Sequence, residues 1–501
     1  MELLHLFYIT LFIVVLTKLL LHPKKQLPPS PPGALPILGH LRLVFTPLHR
    51  TLDTLSKQYG QYMFLKLGKR KVLVLSSPSA IEECINKNDM AFANRPRTVA
   101  GDYLSYDYTV LALSNYGHHW RTLRRITTTE IFSASSLLAS SGVRLDAVRC
   151  LLRELYKSTR EDVPKKVDLK NKFFELTFNA MMSMVTGQAI GDGLLDTEDN
   201  KWFFGLLKDT HVPSLFMGPG DYIPIMRYFD VFKIEKILSG ISKKRDVFFD
   251  EMLEKFRKET SVEKNSKSML DVFFALQKEN PEQYNNVIIK GMIVTMFTAG
   301  TDTSALTLEW AMSLLLNHPE VLLKARAELA NNIDSNRLLE DSDLANLPYI
   351  QSIIQETLRL YPPVPFLVPH ESSRECTVGK YDVPSGTILV ANAWAIHRDP
   401  KVWPEPDKFM PERFMQSTQS ESREFKFIPF GIGRRGCPGG GLATRVMALT
   451  LGSLLQCFEW EKVGDGPVDM SEGNGFTLPK AQSLEAWCKP RPEMLNALSQ
   501  A

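Results

Sequence analysis

The chain has 501 residues, 59 of them basic and 56 acidic, for a formal net charge of +3, which excludes a nucleic-acid or polyanion binder held by bulk charge. With 44% hydrophobic and 23% charged residues it has the composition of a globular protein with a large core, not of a disordered chain or a multi-pass membrane protein. The cysteines, Cys84, Cys150, Cys376, Cys437, Cys457 and Cys488, form no CxxC or close pair, which excludes a disulfide scaffold and fits a reducing compartment.

From Leu3 to Leu21 the sequence is apolar except for His5 and Lys18, long enough at about 1.5 Å per residue to cross a hydrocarbon core of roughly 30 Å. A cleaved signal peptide is the alternative, but the block is longer than a usual signal core and no small-residue cleavage site follows. Residues 1–22 therefore read as a transmembrane anchor. Lys24 and Lys25 follow it and only Glu2 precedes it, so the positive-inside bias puts the body in the cytosol, toward which Lys18 snorkels. Residues 23–36, containing LPPSPPGALP, read as a stiff proline-rich hinge. Length alone suggests about three domains. Beyond Ile37, however, there is no repeat or further proline-rich linker, only polar stretches at 259–268 and 415–424, so 37–501 reads as one large domain.

Alternation over Tyr62 to Leu67 and Lys71 to Leu75, separated by Gly68-Lys69-Arg70, predicts a β-hairpin. Most of the remainder has helical period. Trp120 and Arg124 stand four apart, on one face of such a segment. Val287 to Leu316 predicts one buried helix of about 45 Å that stops before Pro319, and Lys290, Asp302 and Glu309 argue against a second membrane span. In its middle, Ala299-Gly300-Thr301-Asp302-Thr303-Ser304 sets a glycine, an acid and alcohols side by side, each unfavourable there by propensity. Such a break makes room for a small ligand, with Thr303 and Asp302 able to hold water and pass protons; a polar patch facing another helix is the bland alternative. Glu356 and Arg359 lie three apart on a helix whose Ile350, Ile353, Ile354 and Leu358 point inward, and Pro411-Glu412-Arg413-Phe414 brings another arginine.

Near the C-terminus stands FIPFGIGRRGCPGGG, with Phe430, Gly431, Gly433, Arg435, Gly436, Cys437 and Gly439. A single thiolate ligating a metal inside a cofactor needs backbone N–H groups close to the sulfur, an approach that glycines permit. At average residue usage a chance match has odds of about one in ten thousand. The other cysteines read as small buried hydrophobes.

By these residues the chain resembles the cytochrome P-450 superfamily of heme-thiolate monooxygenases, from its N-terminal apolar segment to the neighbourhood of Pro492. The resemblance implies a mainly α fold with small β-sheets, in which 37–501 forms the heme-binding domain. It implies heme b (iron protoporphyrin IX), with Cys437 as axial metal ligand pushing electron density through iron so that a bound O–O bond breaks heterolytically. Arg435, Trp120, Arg124 and His370 would meet the heme propionates, Phe430, Gly431 and Gly439 would shape the thiolate loop, and Ala299 and Gly300 would line the space above the ring. Thr303 and Asp302 would be the acid–alcohol pair of oxygen activation. Glu356, Arg359 and Arg413 would form a structural triad, and Tyr103, Tyr108, Met296, Val364, Phe366, Leu367 and Phe476 would contribute to the substrate wall.

A finer likeness, carried by PPSPPG, AGTDTSALTLEWAMSLLLNHPEV, NAWAIHRDPKVW and FTLPKAQSLEAWCKPRP, is to plant microsomal members that include isoflavone hydroxylases, lignan methylenedioxy-bridge enzymes and terpenoid hydroxylases. Because Thr303 is present, hydroxylation of an apolar metabolite is expected over bridge closure. No flavin or nicotinamide fingerprint occurs, so electrons from NADPH are expected through a membrane-bound flavoprotein reductase that meets Arg121, Arg125, Arg434 and Lys426. The expected location is the endoplasmic reticulum membrane, single-pass, with the catalytic domain facing the cytosol. Two readings stay open: a thiolate-heme isomerase or dehydratase working without O₂, and a membrane heme-binding protein without turnover.

Overall fold

A computed structural model describes residues 26–44, 47–159, 163–188, 198–209, 218–230, 233–259, 268–415 and 424–500. The expected anchor at 1–22 lies outside these residues. Among them, no helix is long and apolar enough to cross a membrane.

The predicted hairpin forms, with β1 (Tyr62–Leu67) antiparallel to β2 (Arg70–Leu75), one residue earlier than expected because Gly68-Lys69 alone makes the turn. Two short strands come next in the chain: β3 (Lys165–Asp168) belongs to a separate three-stranded sheet, and β4 (His370–Glu371) is the far edge of the hairpin's own sheet. After the two-stranded pair β5 (Cys376–Val378) and β6 (Tyr381–Val383), strand β7 (Thr387–Ala391) runs parallel to β2 and antiparallel to β4. The resulting order is β1-β2-β7-β4. β8 (Phe458–Lys462) and β9 (Glu485–Pro490) complete the sheet with β3. From Gln26 onward the proline-rich segment lies on the body and does not stand off from it. Phe64 N–H donates to the Pro29 carbonyl at 2.8 Å, Asp382 N–H donates to the Gln26 carbonyl at 2.8 Å, and Gln26 N–H donates to the Asp382 carboxylate at 2.9 Å. Prolines lack a donor, but their carbonyls still accept from an edge strand.

Helices make up most of the structure. α1 (His118–Ile126) buries Trp120, Leu123 and Ile126. α2 (Leu169–Thr186) is buried almost all round, as expected of a helix at the centre of a large core. The long apolar segment beside it is two helices, not one: α3 (Asn286–Gly300) and α4 (Asp302–Asn317), broken at Thr301 with φ −83° and ψ −67°. Two local causes act together. A Cβ on Gly300 would overlap the Met181 sulfur of α2, so only glycine lets that side chain seat itself there. The Thr303 hydroxyl donates back to the Ala299 carbonyl at 2.6 Å, a side-chain bond that bends helices.

α5 (Pro348–Leu360) presents Ile350, Ile353, Ile354 and Leu358 to the core, as its spacing requires. On the same helix Arg359 grips Glu356 with Nε and Nη2 at 2.7 and 2.8 Å, and Arg413 Nε reaches Glu356 Oε1 at 3.2 Å. Glu356 and Arg359 are both fully buried, and Arg359 also donates to the carbonyls of His397, Pro406 and Lys408. The expected triad is thus a closed network that pins the chain leading into the Cys437 loop. α6 (Gly440–Cys457) leaves that loop and returns through the core.

Candidate active site

The helices and the four-stranded sheet surround a cavity of about 280 Å³. Cys437 opens onto it, and the loop that carries the thiol is held tightly. Cys437 N–H donates to the Phe430 carbonyl at 2.7 Å, and Gly431 and Gly433 take φ of 71° and 69°, which side chains resist. A Cβ on Gly433 would also overlap the Asp89 carboxylate, to which Arg434 is paired at 3.1 Å. Burial pushes the Cys437 thiol above its ordinary range, opposed by the N–H groups of Gly439 and Gly440 and by the charge of Arg124. Those N–H groups are the open end of α6, whose dipole favours a thiolate.

One rim of the cavity is strongly positive. Arg95, Arg124, Arg435 and His370 line it, and no Asp or Glu does among the described residues. The guanidiniums are positioned by carbonyls alone: Arg95 Nη1 donates to Val368 at 2.6 Å, Arg124 Nη1 to Gly436 at 2.7 Å and Arg435 Nε to Ala93 at 2.7 Å. Burial, then the neighbouring Arg124, brings Arg435 down to about 10. Burial and Arg435 push Arg95 well below its ordinary range. His370 is likewise pushed far down, by burial and by the two arginine charges, while its Nδ1 donates to the Phe92 carbonyl at 2.8 Å. Trp120 lies under Arg435, 4.5 Å from guanidinium to ring centre.

So much buried positive charge without a carboxylate partner suits a ligand bearing acid groups of its own. A thiol among helix-end N–H groups suits a metal at that ligand's centre. The residues fit heme.

The opposite wall is apolar. Ala299, Gly300, Met296 and Thr303 face the cavity from α3 and α4, joined by Met181 and Met292, with Val364 and Leu367 beyond α5. Phe430, Gly431 and Gly439 line it from the sulfur side. Of the expected site residues, Asp302 does not line this cavity. It lines a smaller one with Lys170 and Asn171 of α2, because one residue along a helix turns the side chain by about 100°. Four expected wall residues are also elsewhere. Tyr103 donates to Glu235 at 2.6 Å, and Tyr108 donates to the Thr98 carbonyl at 2.8 Å. Phe366 is buried with its ring 6.2 Å from that of Phe476, and neither lines the cavity. Left-handed backbone at Tyr106, Asp107 and Tyr108, with φ of 50°, 54° and 59°, accounts for the turned tyrosine. Arg95 was missed: its only sequence signal is the first arginine of Arg95-Pro96-Arg97, in no motif, and distant carbonyls give it its place.

Fold and site together define a heme-thiolate oxygenase of the mainly helical kind, and comparison with known proteins agrees. The Cytochrome P450 family profile matches residues 28–484, and the chain belongs to that family of monooxygenases. Within it, the chain stands among plant members. It is 50% identical over 477 residues to Cytochrome P450 81Q32 of Catharanthus roseus, covering 95% of this chain and 94% of that protein. It is 44% identical over 485 residues to isoflavone 3'-hydroxylase of Medicago truncatula, covering 96% of each. It is also 44% identical over 477 residues to (+)-piperitol/(+)-sesamin synthase CYP81Q2 of Sesamum radiatum, covering 95% of this chain and 93% of that one. A zebra fish cytochrome P450 solved with progesterone superposes with TM-score 0.76 at 24% identity, covering 89% of this chain and 100% of that chain, a likeness of fold.

Proposed function

We propose that this chain is a membrane-anchored monooxygenase that hydroxylates an apolar plant specialised metabolite: a flavonoid or isoflavonoid, a lignan or a terpenoid. The observation that carries the reading is a single cavity holding the Cys437 thiol, the Thr303 hydroxyl and a wall of Met, Leu and Val side chains. Heme bound there supplies dioxygen activation at its iron.

The chain's own residues do the rest. Cys437 would ligate the metal; Arg435, Arg124, Trp120 and His370, joined by Arg95, would hold the acidic edge of the cofactor; Phe430, Gly431 and Gly439 keep bulk away from the sulfur. Ala299 and Gly300 leave space at the helix break, and Thr303 and Asp302 hold water and move protons. Met296, Val364 and Leu367 exclude water and orient the substrate by shape.

Relatives named for hydroxylation and for sesamin formation are equally similar at 44%, so overall similarity does not choose between hydroxylation and bridge closure. Thr303 in the cavity favours hydroxylation, because its hydroxyl is a proton-carrying group beside the helix break. Such names do not favour an O₂-independent isomerase or a protein without turnover. Microsomes carrying this chain and a reductase, fed flavonoids, lignans and terpenoids, should yield products heavier by one oxygen in mass spectrometry. Only bridged or rearranged products would overturn the preference.

Electrons reach the site from NADPH through a membrane flavoprotein reductase in this reading. Arg121, Arg125 and Arg434 form an exposed basic face, with Lys426 half-buried beside the same loop, and Arg121 and Arg434 each lie 5.6 Å over the Tyr116 ring. High salt should slow reduction of the heme, and a salt-insensitive first electron transfer removes support for this face.

Anchoring is supported by an apolar surface close to where the described chain begins. Leu35, Ile37 and Leu38 are exposed, as are Ile225, Tyr228 and Phe229. The hairpin turn ties the two groups together: Gly68 N–H donates to the Leu38 carbonyl at 3.0 Å, and Lys69 N–H to that of Tyr222 at 2.9 Å. With 1–22 as a single span, the body sits on the cytosolic side of the endoplasmic reticulum. Carbonate washing should leave the protein in the pellet while protease digests the body from outside sealed microsomes; release by carbonate overturns the anchor.

A further inference from the structure

Glu309 is a carboxylate with no evident reason to be where it is. It stands in the middle of α4, 1% exposed, among Leu308, Trp310 and Ala311. Its Oε1 accepts the Leu484 N–H at 2.9 Å, while the buried Oε2 has no hydrogen-bond partner. A structural link to residue 484 requires one acceptor, which a glutamine provides equally well. The second oxygen needs another explanation.

That explanation lies in the smaller cavity between α2 and α4. Its walls are Lys170, Asn171 and Phe174 on one side and Asp302, Ala305, Leu306 and Glu309 on the other, around a volume of about 20 Å³. This leaves room for water, for which roughly 10–15 Å³ suffices. Asp302 and Glu309 are seven residues apart, close to two full turns, so they share the face that looks at α2, about 10 Å apart along the axis. Lys170 and Asn171 are partly exposed, so one end of the cavity meets solvent. At its other end Asp302 adjoins the break at Thr301, whose buried hydroxyl has no partner.

The charged groups facing Glu309 are known from each element packed on it. Burial raises its pKa to about 7, Lys170 of α2 and Lys480 of the C-terminal segment oppose the rise with the Leu484 N–H, and Asp168 at the start of α2 adds to it. Asp302 lies on its own helix.

We propose that Glu309 is the proton reservoir of this enzyme, passing a proton by way of water in the α2–α4 cavity to the Asp302 carboxylate and refilling from solvent past Lys170 and Asn171. The proposal rests on the reading that Asp302 and Thr303 deliver protons at the helix break. Atoms balance and no electrons move: Glu309 gives up its acid proton to cavity water, the proton is handed on through water to Asp302, and solvent restores Glu309. The geometry suits supply on demand, because a group near neutrality both gives and regains a proton readily.

Infrared difference spectroscopy of the holoenzyme tests this without turnover. The native protein should show a protonated-carboxyl band at pH 6, sensitive to deuterium, that titrates near neutrality and is missing in Glu309→Gln. Reconstituted with reductase, Glu309→Gln should oxidise NADPH about tenfold more slowly below pH 7, with a larger solvent isotope effect and a flat pH profile. Lys170→Met, at the partly exposed mouth, remains informative even if the buried variant does not fold. Removing a charge that favours the anion raises the Glu309 pKa, so both the band and the fall in rate should move together to higher pH. A band that survives in Glu309→Gln, or a midpoint unmoved by Lys170→Met, overturns the proposal. Asp302→Asn separates the two layers of argument: if it slows NADPH oxidation while Glu309→Gln does not, the reservoir is wrong and the relay stands; if it changes nothing, the relay falls and the reservoir with it.

Discussion

The sulfur side of the cavity and the α3–α4 side are held together by different forces. Around Cys437, position comes from directional bonds: the 2.7 Å link from its N–H to Phe430, the carbonyl-bound guanidiniums of Arg124 and Arg435, and the Glu356–Arg359–Arg413 network behind the loop. Across the cavity, Met181, Met292, Met296, Val364 and Leu367 offer contact without direction. Hydrogen bonds and charge pairs fail when an atom moves by an ångström, whereas flexible thioethers and branched aliphatics re-pack. One side therefore fixes what the catalyst is, and the other leaves room for what it acts on.

If that contrast is right, substitutions should grade in severity from one side to the other. Cys437→Ser should abolish the thiolate-shifted Soret band of the reduced, carbon-monoxide-treated protein, and all turnover with it; absorbance on folded, heme-loaded protein decides. Next comes Arg359→Leu, which leaves the buried Glu356 with only the longer bond to Arg413 as its charge partner and should cost about 3–5 kcal/mol in urea denaturation of the holoprotein, a loss that Arg359→Lys does not recover. On the far side, Gly300→Ala puts a methyl where the Met181 sulfur sits and should cost about 1–3 kcal/mol, with Met181→Ala in the same chain returning most of it. A double variant as unstable as the sum of the two singles would show that the two residues do not share that space. The mildest change, Met296→Leu, should cost less than about 1.5 kcal/mol in thermal denaturation yet alter the ratio of products seen by mass spectrometry. A Met296→Leu loss as large as that of Arg359→Leu would erase the distinction between the sides.

Much of the site could be read from residue order, and the misses differ in how readable they were. Cys437 and its glycines are legible because their chemistry is local: the turns and N–H groups that serve the sulfur come from the ten or so residues around it. The hairpin and the apolar face of α5 are legible for the same reason, since period alone decides them. Asp302 and Thr303 are neighbours in sequence, and the resemblance pairs them, yet the helix turns them to different cavities. Its phase was available in principle, since Met292, Met296, Ala299 and Thr303 recur at helical spacing and Asp302 falls off that line. Tyr103 and Tyr108 failed for a less readable reason. Their loop runs through three successive left-handed residues, and Glu235 and the Thr98 carbonyl claim the hydroxyls.

Composition, period and the Cys437 loop were enough to expect a mainly helical chain, a metal-ligating sulfur at residue 437 and chemistry near residue 301. Folding alone settled that Arg95, Arg124, His370 and Arg435 share one rim, that Asp302 and Glu309 share the other cavity, and which aromatic side chains turn away from the substrate wall. The reason is range: a turn or a helix face depends on neighbours in the chain, but the direction of a side chain into a cavity depends on carbonyls and packing partners hundreds of residues away, such as Val368 holding Arg95.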